Sequence, residues 1–408
     1  MRFVYLAIGV LALAAGGSAQ QLRFDDVVRN LKNPDPKARE AAVRLLRDAK
    51  YPEAMAPMAA VVLDPVEEIQ LEAIDAELSF FLPDQDVKAR KMIGHVIEQR
   101  KSAVAMAAFD LGPLVVWPRP APPELVSALL QAVDDKSPKI RLEAIYAVGI
   151  VAMPPLTSLD SDQTQRLVKA LDNFDPAVRT GAARVIGRLK VAAAGDSLIK
   201  AVNDSHADVR FAAMRALGEI RDQSAVQALT EQFAFYKKGE GASSALDGLA
   251  RIAAAPSIPL FKERLQDKDP SIRRASVEGL GRTGDTSSAD AIEKVLGSDE
   301  SAMVRIAAAF ALQKLGRNYV GRLADMMTSP KAAEQGAPYL VELGPSVAQA
   351  VIPRLQDPEP VMRESIADVL GAIGGPDAVP ALQAAAAKDT TGAGGVAAKR
   401  AIARIQSR

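Results

Sequence analysis

No cysteine occurs anywhere in the 408 residues, and only two histidines do. The first absence rules out disulfides, thiolate nucleophiles and thiolate metal ligands, so whatever folds here is held by its core alone. The histidines, His95 and His206, lie far apart in the sequence, which removes the usual zinc and iron ligand sets and the familiar hydrolytic triads. Charge of one sign is missing too: fifty basic residues cancel fifty acidic ones. A whole-protein field that would gather nucleic acid or anionic membrane is therefore absent. Aromatic residues make up only 4%, and beyond residue 20 no apolar run reaches the about 20 residues a membrane-spanning helix needs.

The apolar run that does exist is at the start. In MRFVYLAIGVLALAAGGSAQ, Arg2 precedes an apolar stretch from Phe3 to Ala15, and Gly17, Ser18 and Ala19 supply small residues. That layout predicts a secretory signal peptide over residues 1–19, cut after Ala19, and a chain that is secreted or periplasmic.

What fills the rest is one pattern written repeatedly. DNFDPAVRTGAARVIGRLK (172–190), NDSHADVRFAAMRALGEI (203–220), DKDPSIRRASVEGLGRTGD (267–285) and QDPEPVMRESIADVLGAIG (356–374) share one shape. The arginine recurs as Arg39, Arg141, Arg179, Arg210, Arg273, Arg305 and Arg363, with single steps of 38, 31 and 32 residues and doubled steps of 63 and 58. Six residues before each stands Asn33, Asp135, Asn173, Asp204, Asp267, Asp299 or Asp357. The same spacing from Asp64 reaches Gln70, where the arginine has been replaced, and weaker copies centre near Val104, Ala242 and Gly336.

Inside a copy, Asp35, Ser137, Asp175, Asp269 or Glu359 precedes a proline. An oxygen side chain accepts from the free amides of a new helix, and proline fits its first turn. Apolar residues follow at helical spacing, as in Val178, Ala182, Val185, Ile186 and Leu189. Gly187, Gly218, Gly281 and Gly371 come near the helix end, where helices touch closely or φ turns positive. A second helix completes the unit. Such a unit cannot bury its apolar stripe alone, so neighbours must stack. The predicted fold is all-α, an alpha-alpha superhelix of about twelve two-helix repeats over residues 20–408, with Pro-rich insertions near 112–124 and 152–163.

The D-P-x-V-R-x-x-A pattern of DPAVRTGA (175–182) and DPSIRRAS (269–276) resembles HEAT repeats, most closely the short bacterial class also seen in phycobilisome lyases. The resemblance extends over about residues 22–408. It implies an Asp–Arg ladder between neighbouring copies, built from Asp204, Arg210, Asp267, Arg273 and their equivalents and interrupted at Gln70. It also implies that the helix starting at each Asp-Pro lines a concave face.

Signs of chemistry are few. Gly279, Gly281 and Gly284 spell G-x-G-x-x-G, but at the end of a repeat helix and after no strand, the wrong setting for a dinucleotide site. GAGG (392–395) lacks the Lys-Ser/Thr of a phosphate loop, and no G-x-S-x-G or D-x-D-x-D-G occurs. His206 occupies a cap position, and His95 a solvated helix. No catalytic, cofactor or metal-ligating residue is assigned. One and five residues after the repeat arginine, side chains point away from the core stripe. Tyr146, Arg184, Phe211, Arg215, Arg274, Glu278 and Phe310 stand there, a mixture of aromatics and arginines that suits a protein interface. Trp117, the only tryptophan, sits in the insertion GPLVVWPRPAPPEL and is a second candidate contact.

The reading is a non-enzymatic scaffold of the cell envelope that presents its helical face to a protein or peptide. It needs no cofactor, no nucleic acid and no membrane span once the signal is removed. A HEAT-like lyase-type enzyme or its accessory subunit is the rival reading, disfavoured by the export signal, and nucleic-acid binding is the third.

Overall fold

A computed structural model describes residues 23–83 and 104–408. The expected signal peptide, its cleavage point and His95 lie outside the described residues. Every regular element among the described residues is helical. They fall into two compact units, the first of residues up to Asp110 with Arg119–Arg166, the second of Leu111–Pro118 with Leu167–Arg408.

In the second unit one helix of each repeat packs beside its counterpart in the next, forming a row. The row helices are Pro176–Leu189, Ala207–Glu219, Gly239–Ile252, Pro270–Thr283, Ala302–Lys314, Pro330–Leu343, Pro360–Ile373 and Ala393–Gln406. Each is named below by its first residue. Shorter helices, such as Val226–Tyr236 and Ala289–Ser298, form a second layer behind them. The degenerate copies near Ala242 and Gly336 are thus complete row helices. In the first unit Pro36–Ala49, Glu67–Leu78, Val104–Asp110 and Pro138–Val151 carry the same pattern.

Local sequence explains the starts. The carboxylates of Asp35, Asp175 and Asp269 accept from the amides of Lys37, Ala177 and Ser271 at 3.0, 2.9 and 2.8 Å, each with proline in the first turn. Ser137 accepts from Ile140 at 3.4 Å. Glu359 and His206 hold the same position without a side-chain cap bond, so these two expected caps are not made. Short side chains reach the first-turn amides from this geometry more readily than long ones.

The marker six residues before each arginine has two tasks. Its side chain closes a turn, as when Asp267 accepts from the Asp269 amide at 2.9 Å. It also receives the arginine of the preceding copy. Arg39 grips Asp64 at 2.6 and 2.9 Å, Arg179 grips Asp204 at 2.8 and 2.9 Å, and Arg273 grips Asp299 at 2.7 and 2.9 Å. The third guanidinium nitrogen donates to the backbone of its own marker, Asn33, Asn173 or Asp267, at 2.8 Å. A planar fork with five donors can serve both neighbours at once, which lysine cannot.

Two departures change the expected ladder. Gln70 does not interrupt it: its amide donates to Asp135 at 3.1 Å and to the Val62 carbonyl at 3.2 Å, an uncharged version of the same link. In the Gly239 copy Tyr236 stands where the aspartate belongs, and its hydroxyl accepts from Arg210 at 2.5 Å.

Glycine lets the row close up. A Cβ at Gly281 would lie 2.6 Å from the Cα of Ala311, and one at Gly218 would lie 2.8 Å from the Cα of Gly248. The G-x-G-x-x-G string is accounted for in the same terms: Gly279 faces the ring of Phe261, Gly281 faces Ala311, and Gly284 ends its helix at φ +72°.

Candidate interaction face and its buried charge network

Arg274, Glu278 and Arg282 are spaced four apart on the Pro270 helix and therefore share one side of it. Arg274 donates to Glu278 at 2.8 Å and to Asp247 of the Gly239 helix at 2.8 Å. Arg282 donates to Glu278 at 2.7 Å and, through two nitrogens, to Glu342 of the Pro330 helix at 3.0 Å. The Tyr339 hydroxyl donates to Glu278 at 2.5 Å. Its ring stacks on Phe310 at 4.3 Å, and the Arg282 guanidinium lies over Phe310 at 5.1 Å.

Burial alone would raise the Glu278 carboxyl; the two guanidiniums reverse that and hold it down at about 2. The Arg282 and Arg274 cations are pushed up by the same carboxylates, against their own burial. Burial also raises Asp247, against the pull of Arg274. Tyr339 rises well above its ordinary value through burial and the facing Glu278 charge, so it stays a neutral donor. The group is a fixed set of charges, with no free base or nucleophile in it.

Around this buried centre the pairs open to solvent. Arg251 meets Glu219 at 3.1 Å in a half-buried pair, and Arg215 meets Glu240 at 2.8 Å in an exposed one. Arg221, also exposed, stands 3.9 Å from Glu342. Phe211 is half-buried and packs edge-on against Tyr236, with ring centroids 5.5 Å apart.

The expected ridge divides on inspection. Arg215 is exposed, and Phe211, Arg184 and Arg274 are half-buried. Tyr146, Glu278 and Phe310 are buried, each under 4% exposed, and so are not the surface contacts expected of them. The reason is reach: long side chains from adjacent helices lie over these positions. Tyr146 is covered in the first unit by Phe109 at 5.2 Å, and Phe310 in the second by Tyr339 and Arg282. Arg282, Tyr339 and Glu342 escaped the sequence reading. Arg282 continues the four-residue spacing from Arg274 and was detectable; Tyr339 and Glu342 sit in a copy with no marker aspartate or arginine to set its register.

The Pro-rich insertion also divides. Arg119 lies over the Phe80 ring at 6.0 Å and Ala121 donates to Thr157 of the second insertion at 2.9 Å, both within the first unit. Leu111–Pro118, with half-buried Trp117, belongs to the second. His206 is exposed, its ring nitrogen 2.9 Å from Ser205 and 3.3 Å from Arg179. Among the described residues no group of three acidic or imidazole side chains is placed to hold a metal ion, and no helix is long and apolar enough to cross a membrane.

With repeat, ladder and row in place, the family follows from a match to the repeat itself. HEAT repeats match residues 164–234, 239–313 and 327–402, more than half of the chain, and the chain belongs to the HEAT-repeat proteins. None of the curated proteins compared matches it in sequence. Solved structures with a similar fold include the complex of CpcE and CpcF of phycocyanin lyase from Nostoc sp. PCC7120, at 16% identity, covering 78% of this chain and 98% of that one with a TM-score of 0.37. Human deoxyhypusine hydroxylase is similar at 21% identity, with 70% and 97% covered and a TM-score of 0.29. Kap121p bound to Pho4p is similar at 14% identity, with 93% and 44% covered and a TM-score of 0.38.

Proposed function

We propose that the chain is a non-enzymatic scaffold that holds a protein or peptide partner along the row helices of the second unit. The observation that carries this reading is the partly exposed belt of Phe211, Arg215–Glu240 and Arg251–Glu219, beside the buried network of Arg274, Glu278 and Arg282. An aromatic beside arginines is the composition from which interface hot spots are drawn. Paired charges of both signs favour a partner that is itself mixed in charge, since neither sign dominates the belt. Export to the cell envelope is part of the proposal and rests on residues 1–19.

The test is capture of partners from envelope extract by the full chain and by a Phe211→Ala/Arg215→Ala variant. Loss of about tenfold in captured partner, roughly 1.4 kcal/mol, with far-UV circular dichroism unchanged, is the expected result. Equal capture by both removes the face from the account.

A further inference from the structure

Arg400, Arg404 and Arg408 are spaced four apart at the end of the last row helix, and each is spent on a different target. Arg400 makes a buried, two-pronged pair with Asp368 at 2.7 and 2.8 Å, fastening the Ala393 helix to the Pro360 helix. Arg408 donates to the carbonyls of Gly371 at 2.6 Å, Gly374 at 3.1 Å and Ala372, at the end of that same neighbour. Arg404 reaches a stretch of chain nearly three hundred residues earlier. Its terminal nitrogen donates to the carbonyls of Val116 at 2.7 Å, Leu114 at 3.1 Å and Pro113 at 3.3 Å.

The chemistry of that meeting is specific. Pro113–Val115 is a single tight turn, and a proline-bounded segment leaves carbonyls that no neighbouring strand or helix satisfies. One guanidinium gathers three of them. Val116 is buried in the contact at 6% exposure, and the turn also packs on the Pro360 helix. Burial pulls the Arg404 cation down to about 10, so it still carries its charge at neutral pH.

We propose that residues 111–118 are a strap across the last two row helices, buckled by Arg404. A repeat row is stabilised neighbour by neighbour. The strap adds contacts on the Pro360 and Ala393 helices that come from outside that series. The Leu111–Pro118 half of the Pro-rich insertion is therefore an internal fastening of the second unit, and Trp117 reports whether it is closed.

The full chain carries its own probe, because Trp117 is its only tryptophan. Arg404→Met should shift Trp117 emission to the red and raise its acrylamide quenching about twofold. Amide exchange in Ala393–Gln406 should speed up about tenfold while Ala207–Glu219 in mid-row stays unchanged. Should Arg404→Met fold poorly, Val116→Ser loosens the strap with the arginine stripe intact and is expected to give the same pattern. Unaltered quenching and exchange in the folded variant, or acceleration spread evenly along the row, overturns the strap.

Discussion

Arg282 and Glu342 are sixty residues apart and lie on row helices that are not neighbours, yet their side chains meet at 3.0 Å across the top of Phe310. This contact seals the network from the far side. It turns three repeats, which a ladder alone would link only pairwise, into one block. Removing Arg282 strips Glu278 of one of its two cations and leaves the carboxylate buried.

Arg282→Met is therefore expected to cost about 3 kcal/mol, the scale of an uncompensated buried charge. Denaturant unfolding of the variant measures it. A loss below about 0.5 kcal/mol, the range of ordinary surface changes, would contradict the network's role.

The ladder carries a pH dependence of definite sign. The Arg273 bond holds the Asp299 carboxyl below its ordinary value, against burial. A depressed folded pKa adds stability that is complete above the unfolded value, about 3.9, and is lost as pH falls through the folded one. Asp299→Asn should destabilise the protein by about 1–2 kcal/mol at pH 7, with the difference from the parent narrowing below pH 4. Stability curves for both proteins between pH 2 and 7 check this.

Glu77 has the opposite sign. Both carboxylate oxygens lack a hydrogen-bond partner among the described residues, and burial pushes the group well above the ordinary carboxylate range. A raised folded pKa means that the proton is bound more tightly in the folded chain. The cost of keeping Glu77 therefore begins above the unfolded value, about 4.3, and grows as pH rises. Glu77→Met should raise stability at pH 7 by at least about 1 kcal/mol and gain progressively less toward pH 4. Thermal melts at the two pH values decide it, and a destabilised variant at pH 7 would show that the carboxylate is wanted there.

At Gly281 two effects compete. Alanine is the better helix former by about 1 kcal/mol. Its Cβ, however, would sit 2.6 Å from the Cα of Ala311, and backbone cannot yield as a side chain can. Overpacking costs about 1–3 kcal/mol, so Gly281→Ala is expected to destabilise on balance, measured by denaturant midpoint. A stabilised variant would mean that the two helices separate freely.

Fold was the legible part of this sequence because it is written many times over. Caps, arginines and apolar stripes at fixed spacing each predict the same helix, and Ala242 and Gly336 could be placed by register even where their motifs had decayed. The candidate face was legible only in part. Register places Arg274, Glu278 and Phe310 on one side of their helices, but exposure depends on what the next helix lays over them. Tyr339 covers Phe310 from a copy that has lost its markers. Gln70 and Tyr236 show a related limit: the ladder needs an oxygen and a donor at the right distance, and more residue types can supply these than the motif contains.

The central claim is that the row face meets a protein partner. A photo-cross-linking residue placed at Arg215, in the full chain in its native host, tests it most directly, with the same residue at Gln227 on the helix layer behind as the control. A discrete protein adduct at 215 that is absent at 227 is the expected result. Adducts at 227 alone, or none at 215 with the protein folded and abundant, would contradict it.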